Sequence, residues 1–303
     1  MKLTLGSRTS QLALWQSRHV MAALQAAWPG LECAIEPFVT QGDKTLDRPL
    51  PEIGGKGLFT LELENGLREG HIDLAVHSLK DLPVDDGPGL TLGAIPGRAD
   101  VRDVLVAKNG MTLDALPAGA VVGTSSLRRQ AQLLALRPGL TVRSIRGNVE
   151  TRIHKALHGE YDATLLAGAG VTRLGLDANI SQWLALDVML PAPGQGALGV
   201  QCRAEDEATL NFLAAIHNAE VAQSVTAERA FLAGLGGGCS IPVGAYATVS
   251  GGTIHLSGLV AAVDGSGIIL VEGSGPSAAE LGASLAEEAK SQGAAELIGM
   301  ERG

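Results

Sequence analysis

Lys2-Leu3-Thr4-Leu5-Gly6-Ser7-Arg8-Thr9-Ser10 and Ala120-Val121-Val122-Gly123-Thr124-Ser125-Ser126-Leu127-Arg128-Arg129 follow one pattern, and that pattern decides the fold. Each runs from an apolar strand through glycine and hydroxyls into helical spacing. After the first, residues 10–28 place Leu12, Leu14, Val20, Met21 and Leu24 at helical intervals. Residues 32–39 then read as a strand, 58–68 as a helix and 73–76 as a short buried strand. After the second come a helix at 127–136, a strand at 141–145, a helix at 149–157 and a strand at 163–167. Alternating strand and helix predicts a mostly parallel sheet covered by helices, here twice over. The fold class is therefore α/β with two lobes.

Two connections join the lobes, Ile95-Pro96-Gly97-Arg98 and the stretch 190–196, Leu-Pro-Ala-Pro-Gly-Gln-Gly. They read as crossovers, so a hinged cleft is expected, and the strand-like stretch 197–201 can rejoin the first sheet. The last part differs. Residues 246–249, 253–260 and 267–272 alternate and are split by Ser250-Gly251-Gly252 and Asp264-Gly265-Ser266-Gly267, an antiparallel meander. Residues 277–298 close the chain as an amphipathic helix, giving a small α+β third domain. The expected division is 1–96 with 197–215, then 100–190, then 219–303.

The 303 residues are 46% hydrophobic and 18% charged, the composition of a globular protein of two or three domains. Aromatics are only 3%, so aliphatic residues build the core, and 40 glycines point to tight turns and close backbone approach. No stretch reaches the roughly 18 apolar residues that span a membrane. Arg8, Gln11 and Arg18 interrupt any signal-like run, and three cysteines do not suit a secreted disulfide scaffold, so a cytoplasmic location is expected. The net charge of −9 argues against nucleic acid as a partner. Within this acidic chain, however, Arg128, Arg129, Arg137, Arg143, Arg146, Arg152 and Arg173 crowd into one stretch, which suits a pocket for a small polyanion.

Five stretches can carry chemistry. The two strand-to-helix turns offer free N–H groups and a partial positive charge to anions, although ordinary Ser/Thr capping explains either one alone. Arginines at such turns grip carboxylates in bidentate fashion. His77-Ser78-Leu79-Lys80-Asp81 follows a buried strand. It reads either as a charged carboxylate facing a developing cation or as a polar loop in which Asp81 caps a turn. Cys239, after Gly236-Gly237-Gly238, is presented on a bare loop as a nucleophile or a covalent tether, whereas Cys33 and Cys202 lie in apolar runs. Gly54-Gly55-Lys56-Gly57 brings a cation into a helix but lacks the Walker A spacing, which removes a nucleotide site.

Together, Gly6-Ser7-Arg8-Thr9-Ser10, the Gly-Gly-Lys-Gly-Leu-Phe loop ending at Phe59, His77 to Asp81, Gly123 to Arg129, Arg146-Gly147-Asn148, Pro193-Gly194-Gln195-Gly196 and the glycines before Cys239 resemble the porphobilinogen deaminase family. The motifs are collinear from residue 3 to about 245. The resemblance implies two lobes like type II periplasmic binding proteins, a third domain, and a monomer. It also implies a dipyrromethane cofactor on a thioether to Cys239, onto which four porphobilinogen molecules are deaminated and added in turn. By that resemblance Asp81 is catalytic. Ser78, Lys80, Thr124, Ser126, Arg128, Arg129, Arg146 and Asn148 hold the cofactor. Arg8, Ser10, Lys56, Arg146, Arg152, Arg173 and Gln195 hold substrate. Each pyrrole carries an acetate and a propionate, which accounts for the arginines.

One departure is that some family members carry a lysine just before the glycine loop, where this chain has Glu52, and a carboxylate there cannot hold a substrate carboxylate. The alternative is a non-catalytic carboxylate-binding protein on the same bilobal scaffold, since fold does not imply function. Such a protein needs neither the presented thiol of Cys239 nor an unpaired Asp81.

Overall fold

The computed structural model describes residues 2–44, 57–237 and 241–299. In chain order the elements are β1 (Lys2–Arg8), α1 (Gln11–Ala27), β2 (Glu32–Phe38), α2 (Gln41–Lys44), α3 (Leu61–Arg68), β3 (Leu74–Ser78), β4 (Leu90–Ala94), β5 (Asp103–Ala107) and β6 (Val121–Gly123). There follow α4 (Leu127–Leu136), β7 (Thr141–Arg143), α5 (Val149–Leu157), β8 (Ala163–Ala167), α6 (Gly168–Arg173), β9 (Gln182–Trp183), β10 (Leu198–Arg203), α7 (Glu207–Ala214) and α8 (Ala219–Gly234). The last are β11 (Val243–Ser250), β12 (Thr253–Ala261), β13 (Ile268–Gly275), α9 (Ala278–Ser291) and α10 (Ala294–Leu297). Among the described residues no helix is long and apolar enough to cross a membrane.

The described residues form two compact units. The first takes the chain up to 44, then 57–99 and 196–222; the second takes 100–195 and 223–299. The first unit has one sheet in the order β2-β1-β3-β10-β4. Strand β1 runs parallel to β2 and β3, while β10 runs antiparallel to β3 and β4. The second unit repeats this with β7-β6-β8-β5-β9: β6 is parallel to β7 and β8, and β5 is antiparallel to β8 and β9. Each sheet thus holds two parallel and two antiparallel pairings, which corrects the expectation of mostly parallel sheets. In each sheet one strand, β10 in the first and β5 in the second, sits next to the edge strand and runs against the other four. The shared order makes the two lobes two copies of one α/β plan, as the fold class required.

Apolar spacing builds each core. Leu3 and Leu5 of β1, Val20 and Leu24 of α1, Leu74 and Val76 of β3 and Val200 of β10 form the first. Leu105, Val122, Leu133 and Leu165 centre the second. The antiparallel sheet β11-β12-β13 belongs to the second unit, where Phe231 of α8, Ala245, Ile254, Val260 and Leu285 of α9 form its core. Ala131 of α4, Leu190, Leu259 and Ala261 join this sheet to the lobe beside it.

The helix starts are local chemistry. The side chains of Ser10, Ser126, Asn148 and Asp206 accept hydrogen bonds from the N–H groups of Ala13, Arg129, Thr151 and Thr209, capping α1, α4, α5 and α7. The closing helix expected at 277–298 breaks in two, because Gly293 takes φ 98, a left-handed conformation that ends α9 and starts α10.

Candidate active site

In the first unit the site is built where β1 and β3 end. Arg8 is the last residue of β1 and Ser10 caps α1. Past β3 the chain makes one 3-10 turn, Leu79–Asp81. Leu79 is fully buried and its N–H donates to Ala197 O at 3.0 Å, while Leu82 N–H closes the turn onto Leu79 O at 3.1 Å. Lys80 and Asp81 therefore stand half-buried on a pinned turn. The Asp81 carboxylate accepts no hydrogen bond from any other described residue. Ser78 is held at the strand end, its Oγ accepting from Gln16 Nε2 at 2.8 Å.

Two residues shape this half that the sequence reading gave no role of their own. His77, 5% exposed, is pushed down to about 4 by burial, against the pull of Glu64, Gln201 and Asp81 toward the charged ring and with a small push from Arg8. It is thus a neutral imidazole at the ordinary pH of a cell. Neither its Nε2 nor Gln201 Oε1 makes a hydrogen bond of good geometry, although the two lie on the neighbouring strands β3 and β10, where Gln201 is two residues beyond Gly199, the partner of His77. Asp43 of α2 pairs with Arg8 through Nε at 3.2 Å and through Nη2.

The second unit carries its own candidate residues at the ends of β6, β7 and β8. Ser125 Oγ donates to Ile145 O at 2.7 Å and accepts from Ile145 N–H at 3.2 Å. That zips the turn carrying Thr124 and Ser126 to the turn carrying Arg146 and Asn148. Thr124 is buried, with Oγ1 accepting from Ser126 N–H at 3.1 Å. Asn148 caps α5 by accepting from Thr151 N–H at 2.8 Å, and Arg152 Nε donates to Gly147 O at 2.8 Å. Gly147 takes φ 116, which lets the chain turn sharply between Arg146 and the cap. Arg146 and Arg173 are both lowered by burial, Arg173 to about 10, so each holds a cation in a partly dry place that an anion would stabilise.

Arg128 and Arg129, expected at the ligand, are 4% and 6% exposed and converge on Asp103. Arg128 Nη1 is 2.7 Å from Asp103 Oδ2 and donates to Leu190 O at 2.6 Å. Arg129 Nη2 and Nε donate to Asp103 Oδ1 at 2.7 and 3.1 Å. Gln195, expected at the substrate, has no exposed surface; its Nε2 donates to Val101 O at 2.7 Å and to Asp103 Oδ1 at 2.9 Å. It braces the carboxylate that holds the arginine pair. Burial opposes charge on Asp103, but the two guanidiniums hold its carboxyl well below the usual carboxylate range. One carboxylate against two guanidiniums leaves a buried charge of one plus. Arg128 Nε, buried without a partner among the described residues, is a donor still to be satisfied. Asp103 was not picked out from the sequence; the one signal for it is an acid that opens the apolar run Val104–Ala107 and so must find a cation.

These donors fit a dipyrromethane, whose two pyrroles carry four carboxylates. They supply excess positive charge, buried donors and capped helix starts at strand ends. Lys56 and Cys239 lie outside the described residues.

Comparison with known proteins points the same way. Residues 3–211 match the family described as "Porphobilinogen deaminase, dipyromethane cofactor binding domain", and residues 222–291 match "Porphobilinogen deaminase, C-terminal domain". Two curated proteins named "Porphobilinogen deaminase", from Roseiflexus sp. (strain RS-1) and Roseiflexus castenholzii (strain DSM 13941 / HLO8), are each 52% identical over 297 residues, covering 98% of this chain and 98% of theirs. Similar solved structures include a VFT2 domain of Bordetella pertussis BvgS, with a TM-score of 0.42, 17% identity, and 73% of this chain against 90% of that one. Another is the BenM effector binding domain with its effector benzoate, with a TM-score of 0.43, 12% identity, and 71% of this chain against 90% of that one. With matches along nearly its whole length, the chain belongs to the porphobilinogen deaminase family.

Proposed function

We propose that this chain is a working porphobilinogen deaminase, a transferase of the hydroxymethylbilane synthase class. It deaminates four porphobilinogen molecules and joins them head to tail, releasing a linear tetrapyrrole and ammonia. The observation that carries the reading is the pinned turn at Leu79–Asp81, which holds an aspartate without a hydrogen-bond partner beside a neutral, buried His77.

Loss of ammonia from porphobilinogen leaves a cationic methylene-pyrrole. Asp81, placed against the pyrrole N–H, stabilises that cation and moves the proton. Bound dipyrromethane supplies the free pyrrole carbon that accepts each unit, and Cys239 is its thioether anchor. Ser78, Lys80, Thr124, Ser126, Arg128, Arg129, Arg146 and Asn148 hold its carboxylates and N–H groups, while Arg8, Ser10, Lys56, Arg152 and Arg173 hold those of the substrate. Asp103 and Gln195 support this set by fixing Arg128 and Arg129. The protein works as a cytoplasmic monomer of three domains, 1–96 with 197–215, 100–190 and 219–303.

The intact mass of the denatured protein, beside a Cys239→Ala control, tests the anchor. The expected result is an excess of two linked pyrroles that the control lacks. A chain still unmodified after incubation with porphobilinogen leaves the non-catalytic binding protein as the better reading. Asp81→Asn tests the chemistry. It keeps the fold and loses nearly all turnover, and retention of a tenth of wild-type turnover would remove Asp81 from the mechanism.

A further inference from the structure

Arg8 leaves β1 with its guanidinium held on two sides. Asp43 takes one edge, pairing with Nε and Nη2. Phe59 lies under the plane, its ring centre 4.3 Å from Arg8 Cζ. Neither partner is loose. Asp43 Oδ2 also accepts from Thr40 Oγ1 at 2.7 Å and Thr40 N–H at 3.3 Å, and Thr40 is fully buried. Gly42 N–H donates to Leu58 O at 2.9 Å. A Cβ on Gly42 would sit 2.2 Å from Phe59 Cε1, so only glycine lets the ring lie there. Arg8 and Thr40 together hold the Asp43 carboxyl below its ordinary range although burial works the other way, so it stays an anion.

A guanidinium has two edges that accept a carboxylate in bidentate fashion, Nε with Nη2 and Nη1 with Nη2. Asp43 fills the first. On the second, Nη1 has no partner among the described residues. Arg8 and Asp81 leave the same end of the sheet, because β1 and β3 run side by side in parallel and Arg8 ends the first while the turn carrying Asp81 follows the second.

We infer that Asp43 is a positioning residue: by holding the Nε and Nη2 edge of Arg8 it turns the Nη1 and Nη2 edge toward one carboxylate of porphobilinogen. The inference rests on the function proposed above and specifies how Arg8 serves it. The Asp43 charge also offsets that of Arg8, so the substrate carboxylate is oriented without being gripped by an unopposed cation. A chain that lengthens by one pyrrole at a time needs contacts it can release.

The test is the steady-state KM and kcat for porphobilinogen in the full chain carrying its cofactor. Asp43→Asn frees a rotamer-rich side chain that binding must fix again, so KM rises roughly two- to tenfold with a much smaller fall in kcat. Asp43→Glu, which restores the carboxylate, recovers most of the loss. Gly42→Ala, which displaces Phe59, raises KM in the same direction. In an Arg8→Lys background, Asp43→Asn adds less than about twofold, because both changes remove one arrangement. A purely structural Asp43 would instead lower thermal stability and leave the KM effects of Arg8 and Asp43 multiplicative. An unchanged or lower KM in Asp43→Asn, with active wild type, overturns the inference alone and makes Asp43 a competitor of the substrate. Wild-type protein that consumes no porphobilinogen overturns the functional reading and the inference with it.

Discussion

His77 makes folding stability depend on pH in a way that exposed histidines do not. Burial lowers its affinity for a proton in the folded state to about 4, against about 6.5 in an unfolded chain. Between those values the unfolded chain binds the proton and the folded one does not, so folding loses free energy as the pH falls. The contribution is complete above pH ~6.5 and is lost progressively down to about 4, up to roughly 3 kcal/mol. Urea denaturation across that range is expected to show the stability difference between wild type and His77→Gln shrinking as the pH falls. A difference constant with pH would mean that His77 is not the neutral group described. The residues easiest to read from sequence were the caps of the two strand-to-helix turns, Ser10 and Ser126, because a cap and its N–H lie three residues apart. Asp43 and Asp103 were not legible: their arginines stand 35 and 26 residues away, and nothing local says which charge will meet which.

At the scale of elements, Glu228 of α8 does the most with one side chain. It is fully buried, and Oε2 accepts from Gly194 N–H at 2.7 Å while Oε1 accepts from Ala247 N–H at 2.8 Å. One carboxylate thereby ties the helix before the cysteine loop to the Pro-Ala-Pro-Gly segment and to β11. Glu228→Ala leaves both N–H groups buried and unpaired, a cost of roughly 2–4 kcal/mol in denaturant unfolding. A loss under about 0.5 kcal/mol would show that water or neighbouring groups replace the carboxylate. Helices with strong apolar spacing, 127–136 and 149–157, were read from sequence at their true bounds. Strands β4, β5 and β9 and helices α7 and α8 were not anticipated. Strand β5 is buried along its whole length and shows no alternation, and α8 carries its small residues all round, so neither has the one-sided pattern that marks an amphipathic element.

For the whole molecule, the duplicated plan follows from two matching strand-to-helix turns, each ending in glycine and hydroxyls and each followed by another strand and helix. The sequence by itself therefore determined the α/β class, the two lobes, the antiparallel third sheet, the family, and the short motifs that carry the candidate site. All of these depend on neighbours within a turn or two of chain, or on residue types fixed in order. Only the tertiary structure decided the direction of β5 and β10, which run against partners far off in sequence, β5 against β8 and β10 against β3. It alone decided that Arg128 and Arg129 share one buried carboxylate, that Gln195 braces it, and that Asp43 sets the face of Arg8. Charges separated by tens of residues are matched by where the folded backbone brings them, and burial then fixes the cost of leaving any of them unpaired.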